Sequence, residues 1–132
     1  MLALLTALLA PSAHAGLFGT DAPSRIPVPA REFRLQIEDQ GGVVLDVTRA
    51  SYDGEVFVYG TIGLAQVTVP FENIASLEVL PGADEDHRVA RVTTRGQESI
   101  SLVVEADTPF WGRTTFGNYK IEVGQVRRLT VK

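Results

Sequence analysis

A repeat at constant spacing is the feature that most constrains this chain. Two stretches, 60–79 and 112–131, share one residue pattern at an offset of 52 positions, with no gap. The matched pairs are Gly60 and Gly112, Val67 and Tyr119, Val69 and Ile121, Phe71 and Val123, Ile74 and Val126, Leu77 and Leu129, and Val79 and Val131. Two amphipathic hairpins could share part of this pattern by chance, but its extent favours duplication. The sequence therefore predicts two similar halves.

Alternating apolar and polar residues predict strands throughout both halves. In the first half, Phe33, Leu35 and Ile37 alternate with polar residues, which is the period of a strand with one buried face. Glycine-containing turns separate successive strands, and no helical period persists for three turns. A half of roughly 48 residues would be marginally stable alone, so the halves are expected to pack together. We predict an all-β fold: two repeats of about 45–50 residues, each with four or five short strands, forming a small barrel or sandwich with pseudo-twofold symmetry.

Two local features refine this prediction. Pro70 cannot donate a backbone hydrogen bond, so its strand should lie at a sheet edge or end there. Residues 72–74 have room for a single helical turn that would place Ile74 in the core. Residues 124–126 take the same place in the second half.

The chain begins with a segment that is typical of a signal peptide, residues 1–15. Its short apolar run cannot span a bilayer, and Ala13, His14 and Ala15 resemble a cleavage site. No Lys or Arg precedes the run, so a buried N-terminal helix is the alternative interpretation. We predict an exported protein, periplasmic or secreted, with no transmembrane segment after cleavage.

The remaining chain divides into four parts. A proline-rich linker is predicted at 16–32, the first β repeat at 33–80, an acidic linker at 81–87 and the second β repeat at 88–132. We favour one fused unit over two separate domains.

Few residues could support catalysis or ligate a metal. The chain has no cysteine, which excludes disulfides, thiolate metal sites and a catalytic thiol. After the predicted cleavage site His87 is the one histidine, and it follows three acids, Asp84, Glu85 and Asp86. These acids lack the spacing and the glycine of a calcium-binding EF-hand, which favours a solvated turn. No phosphate-binding glycine loop is present either. We therefore predict a protein that is not an enzyme, with no cofactor and no metal.

The two halves differ sharply in charge. Residues 33–80 contain two basic and seven acidic residues, a net charge of −5. Residues 88–132 contain eight basic and four acidic residues, a net charge of +4. The charges could face one another and help to dock the halves, or they could face outward and steer an anionic partner. Nucleic acid is a poor candidate partner for an exported protein with a pI near 5.1.

A second candidate surface is the aromatic stretch 108–117. It combines the single tryptophan with phenylalanines and Arg113, a composition typical of binding hot spots. However, Val58 and Tyr59 occupy the matching places in the first half, which favours core or strand-face positions, with a binding face as the alternative. The predicted binding surface consists of Phe110, Trp111, Arg113, Lys120, Arg127 and Arg128. The sequence thus predicts a protein-interaction or structural module of the cell envelope, whose partner is another envelope or extracellular protein. Binding of an anionic glycan or lipid headgroup through the basic second repeat is the alternative.

Overall fold

The structure is a computed structural model that describes residues 22–132. The predicted signal peptide and the first residues of the proline-rich linker, 16–21, lie outside the described residues. Between residues 22 and 132 the regular structure consists of ten β-strands and two single-turn 3₁₀ helices, with no α-helix. The all-β prediction is confirmed.

Five strands precede the acidic loop and five follow it. The first five are β1 (Leu35–Asp39), β2 (Val44–Tyr52), β3 (Phe57–Ile62), β4 (Ala65–Pro70) and β5 (Ile74–Pro81). The second five are β6 (His87–Thr94), β7 (Ser99–Glu105), β8 (Pro109–Thr114), β9 (Gly117–Glu122) and β10 (Val126–Val131). The 3₁₀ helices are Phe71–Asn73 and Val123–Gln125. The predicted acidic linker is shorter than expected, because Pro81 and His87 belong to strands and only 82–86 form the loop.

The strands form one antiparallel sheet in the order β4-β3-β7-β6-β5-β10-β1-β2-β8-β9. This order requires the sheet to curl. A flat sheet would hold β2 and β3, six places apart, roughly 29 Å from each other. The connection from Tyr52 to Phe57 spans at most about 18 Å. Because β7 and β8 are also six places apart and share a short connection, the sheet curls into half of a barrel.

Proline and the 3₁₀ turns set the ends of the sheet. The strand β4 ends at Pro70 and lies at one edge, as predicted. The 3₁₀ helix that follows returns the chain to the centre of the sheet and leaves Ile74 fully buried. At the other end, the helix Val123–Gln125 leads from the edge strand β9 to β10, where Val126 is fully buried.

The concave side of the curled sheet holds a single apolar core. Strands from both sides of the acidic loop contribute to it, including Leu35 and Leu77 from the first half and Leu102 and Leu129 from the second. None of the elements between Ala22 and Lys132 is a helix long and apolar enough to cross a bilayer.

Candidate functional site

An open groove lies on the outer face of the sheet where β3 separates from β7. The strand β3 pairs with β4 along its whole length, but it pairs with β7 at a single position, Thr61 with Val103. The close approach depends on Gly60, since a Cβ there would lie 2.4 Å from the carbonyl oxygen of Val103. Away from this point the two strands diverge. The result is a groove of about 710 Å³, which we call the Tyr59 groove.

Aromatic rings and polar groups line the Tyr59 groove together. Its lining includes Phe57, Tyr59, Thr68, His87, Val103 and Glu105. The rings of Phe57 and Tyr59 meet edge to face, with centroids 6.4 Å apart. The Tyr59 hydroxyl donates to Asp53 Oδ2 over 2.6 Å. This hydrogen bond holds the phenol in its neutral form and, with burial, raises the pKa of Tyr59 to about 12. The groove therefore offers apolar ring faces beside fixed polar groups.

Tyr52 supports the groove from beneath and connects it to the other half of the molecule. Its ring centroid lies 5.1 Å from that of Tyr59 and 5.0 Å from that of Phe110. The side chain is fully buried, and its hydroxyl has no hydrogen-bond partner within residues 22–132. Burial raises the pKa of Tyr52 well above its ordinary value.

A histidine between two carboxylates closes one end of the groove. His87 Nδ1 lies 2.8 Å from Asp84 Oδ1, and Nε2 lies 3.2 Å from Glu105 Oε2. These contacts join the acidic loop to β7. The hydrogen bond to Asp84 is the main cause that raises the pKa of His87, and the same bond lowers the pKa of Asp84.

We expect His87 to titrate above its ordinary pKa of 6.5. Because the folded state binds the His87 proton more tightly than the unfolded state does, protonated His87 stabilises the fold. This contribution to the free energy of unfolding is complete below pH 6.5 and is lost as the pH rises through the folded-state pKa. An NMR titration of the His87 ring protons measures this, with His87→Gln identifying the signal. Asp84→Asn should lower the His87 pKa more than Glu105→Gln does. A wild-type pKa at or below 6.5 would contradict the observed contacts.

The residues of the sequence-predicted binding surface do not form one patch. Phe110 is fully buried and faces the core, so it lies beneath the surface and cannot contact a partner. Trp111 faces the opposite side of β8 and is half-buried, with Lys120 Nζ 5.1 Å from its ring centroid. Arg113 is exposed two residues further along the same strand.

Arg127 and Arg128 lie on β10, which β1 and β2 separate from β8. Arg127 Nη1 lies 3.0 Å from Glu38 Oε2, and Arg128 Nε lies 3.7 Å from Glu38 Oε1. Similarly, Arg91 Nη2 lies 2.6 Å from Glu78 Oε1. Each pair joins an acid of the first half to an arginine of the second. These arginines face acids of their own chain, which favours the first of the two interpretations of the charge asymmetry. Such exposed pairs contribute at most about 1 kcal/mol each.

The second part of the proline-rich segment, from residue 22, contacts the sheet at several points. Asn118 Nδ2 donates to the carbonyl oxygen of Pro23 over 2.9 Å. Further along, Pro27 packs against Gly54, and Arg31 forms an ion pair with Glu72. Phe33 then meets Phe71 edge to face. The second part of the predicted linker is therefore docked on the sheet.

The Tyr59 groove was not predicted from the sequence. A usable signal was present, since Phe57 and Tyr59 alternate with the buried Val58 and so share an outward face. What the sequence lacked was the pairing of β3 with β7. Because β3 lies beside β7 but diverges from it beyond that one position, a groove opens that includes Val103 and Glu105.

The matching family model covers residues 29–132 and carries the description "Uncharacterised protein". Since the match extends over more than half of the sequence, the chain belongs to this family of uncharacterised proteins. No curated protein and no solved structure matches the chain.

Proposed function

We propose that the chain consists of two repeats related by a pseudo-twofold axis between β5 and β10. The bounds of β3, β4, the first 3₁₀ helix and the start of β5 all recur 52 residues later. The strand order gives further support. The counterparts are β1 and β6, β2 and β7, β3 and β8, β4 and β9, and β5 and β10. Exchanging the two members of each pair in the sheet order gives the same order read backwards.

We further propose that the protein is a non-catalytic, exported protein-interaction module of the cell envelope. The Tyr59 groove is the observation that carries this proposal. It is open to solvent and lined by aromatic side chains, and it lies beside the edge strand β4, which has no charged residue. Aromatic clefts and unpaired strand edges are common sites for binding polypeptides. The apolar run and cleavage pattern of residues 1–15 support export.

Binding of an anionic glycan or lipid through the second repeat remains the alternative function. Arg113 supports it, because this exposed residue lines a shallow polar cavity with Arg49. Against it, Arg49 pairs with Glu32, while Arg127 and Arg128 pair with Glu38. A convergent basic site is therefore less well supported than the groove.

Site-specific photocrosslinking in the source cells tests the proposed function. A benzophenone amino acid replaces Thr68, an exposed residue at the groove, or Val44, an exposed residue of β2 outside it. We expect discrete polypeptide adducts at Thr68 that are absent at Val44, recovered in the envelope or secreted fraction. The alternative function predicts two different results. Neither position yields a polypeptide adduct, and the protein binds anionic-lipid vesicles or anionic glycans, with binding lost in Arg113→Ala.

A further inference from the structure

The proline-rich segment contacts β9 at one point and the turn after β2 at another. Its contact with Asn118 lies on β9, and its contact with Gly54 lies just beyond β2. Between these points lies Trp111, which is opposite Lys120 in the register with β9 and opposite Ser51 in the register with β2. Ser51 is fully buried although it lies opposite the outward-facing Trp111. The face that carries Trp111 therefore lies between the two points that the segment contacts.

The Tyr59 groove occupies the corresponding place in the other half of the chain. At the offset of 52 residues, Tyr59 corresponds to Trp111, and the pairing of Thr61 with Val103 corresponds to the pairing of Arg113 with Thr48. Two pairs of residues on the edge strands β4 and β9 differ in exposure, in that the groove residue is exposed and its counterpart is half-buried. These pairs are Gln66 with Asn118 and Thr68 with Lys120. The chain's own segment therefore contacts β9, the counterpart of β4, whereas the Tyr59 groove beside β4 is open.

The chemistry of the groove suits the same kind of segment. Proline-containing peptides are held extended without internal hydrogen bonds, and they dock into grooves lined by aromatic rings. Phe57 and Tyr59 supply such rings. Glu105 adds a carboxylate at the end of the groove, beside His87, which favours a basic residue in the ligand. The docked segment has this composition, APSRIPVPAR from residue 22 to residue 31.

We propose that the Tyr59 groove binds an extended, proline-containing segment with at least one basic residue, supplied by a partner polypeptide. The partner supplies it because the chain's own segment already contacts β9 and the turn after β2. The bound segment runs from Gln66 across Tyr59 to Glu105. This inference rests on the proposed protein-interaction function and specifies its ligand class.

The peptide APSRIPVPAR is the probe, labelled with a fluorophore and titrated into the full exported protein while anisotropy is recorded. We expect saturable binding that weakens at least tenfold when the three prolines are replaced by alanine. In the protein, Val103→Arg places a cationic side chain in the groove and should also weaken binding at least tenfold. Val44→Arg is the matched control, because Val44 is a strand valine of similar exposure outside the groove, and it should leave binding unchanged. If Val103→Arg does not fold, Thr68→Arg on the edge strand replaces it.

Each other outcome overturns the proposal in a distinguishable way. Equal binding of the alanine peptide would exclude a proline-specific groove, and equal loss in both arginine variants would place the binding elsewhere. Absence of peptide binding while Thr68 still crosslinks to polypeptides in cells would exclude this ligand class but leave the interaction function intact. A homodimer that Val103→Arg disrupts would assign the groove to a second copy of the chain. Absence of both signals would exclude the inference and the proposed function together.

Discussion

Phe110→Ala is expected to lower the free energy of unfolding by about 3–5 kcal/mol, the usual loss for a fully buried aromatic residue. The side chain is 0% exposed and packs against Tyr52, so its removal leaves a cavity beside Tyr52 in the core. Urea unfolding followed by circular dichroism measures the loss.

Trp111→Ala is the matched control, since Trp111 is the next residue and points to the other face. Loss of its half-buried ring should lower the free energy of unfolding by about 1–2 kcal/mol. Equal losses in the two variants would contradict the opposite orientations of these neighbours. A loss below about 1 kcal/mol for Phe110→Ala would contradict its place in the core.

Local sequence signals predicted the elements well, because each depends on a few neighbouring residues. The alternation around Leu35 and Ile37 specified a strand with one buried face, and both side chains are buried. Pro70 indicated an edge strand, because proline has no backbone N–H to donate to a neighbouring strand. The single turn before Ile74 was also predictable, since this apolar residue had to reach the core after the polar residues Glu72 and Asn73.

The orientation of Phe110 could also have been read from the sequence. At the offset of 52 residues Phe110 corresponds to Val58, which is buried, and Trp111 corresponds to Tyr59, which lines the groove. Treating the aromatic stretch as one surface ignored the alternation of side chains along a strand. Phe110 was therefore assigned to the binding surface although it belongs to the core.

Contacts between strands that are distant along the chain could not be predicted from the sequence. Arg127 and Arg128 are adjacent basic residues, and nothing near them indicates that Glu38, on the other half of the chain, faces them. The Tyr59 groove is also a product of long-range pairing, because β3 and β7 are distant in sequence and meet at one position. Periodicity reveals which face of a strand is buried but not which strand lies beside it.

Gly60→Ala and Gly112→Ala are each expected to lower the free energy of unfolding by about 3 kcal/mol, at the upper end of the usual cost of overpacking. A Cβ on Gly60 would lie 2.4 Å from the carbonyl oxygen of Val103. On Gly112 it would lie 2.2 Å from Val47 Cγ1 and 2.8 Å from the carbonyl oxygen of Thr48. In both cases a backbone atom of the neighbouring strand blocks the new methyl group, so relief requires the strands to move apart.

Gly96→Ala is the control, because its new Cβ would lie 3.8 Å from the nearest atom, Thr94 Oγ1. Urea unfolding of the three variants should therefore show two large losses and one small change. The two large losses bear on the repeat itself, since Gly60 and Gly112 lie 52 residues apart at the points where β3 crosses β7 and β8 crosses β2. If the halves share one design, each needs a residue without a side chain at this crossing. A loss confined to one of the two glycines would show that the crossings differ, and the correspondence between Tyr59 and Trp111 would then lose its structural basis.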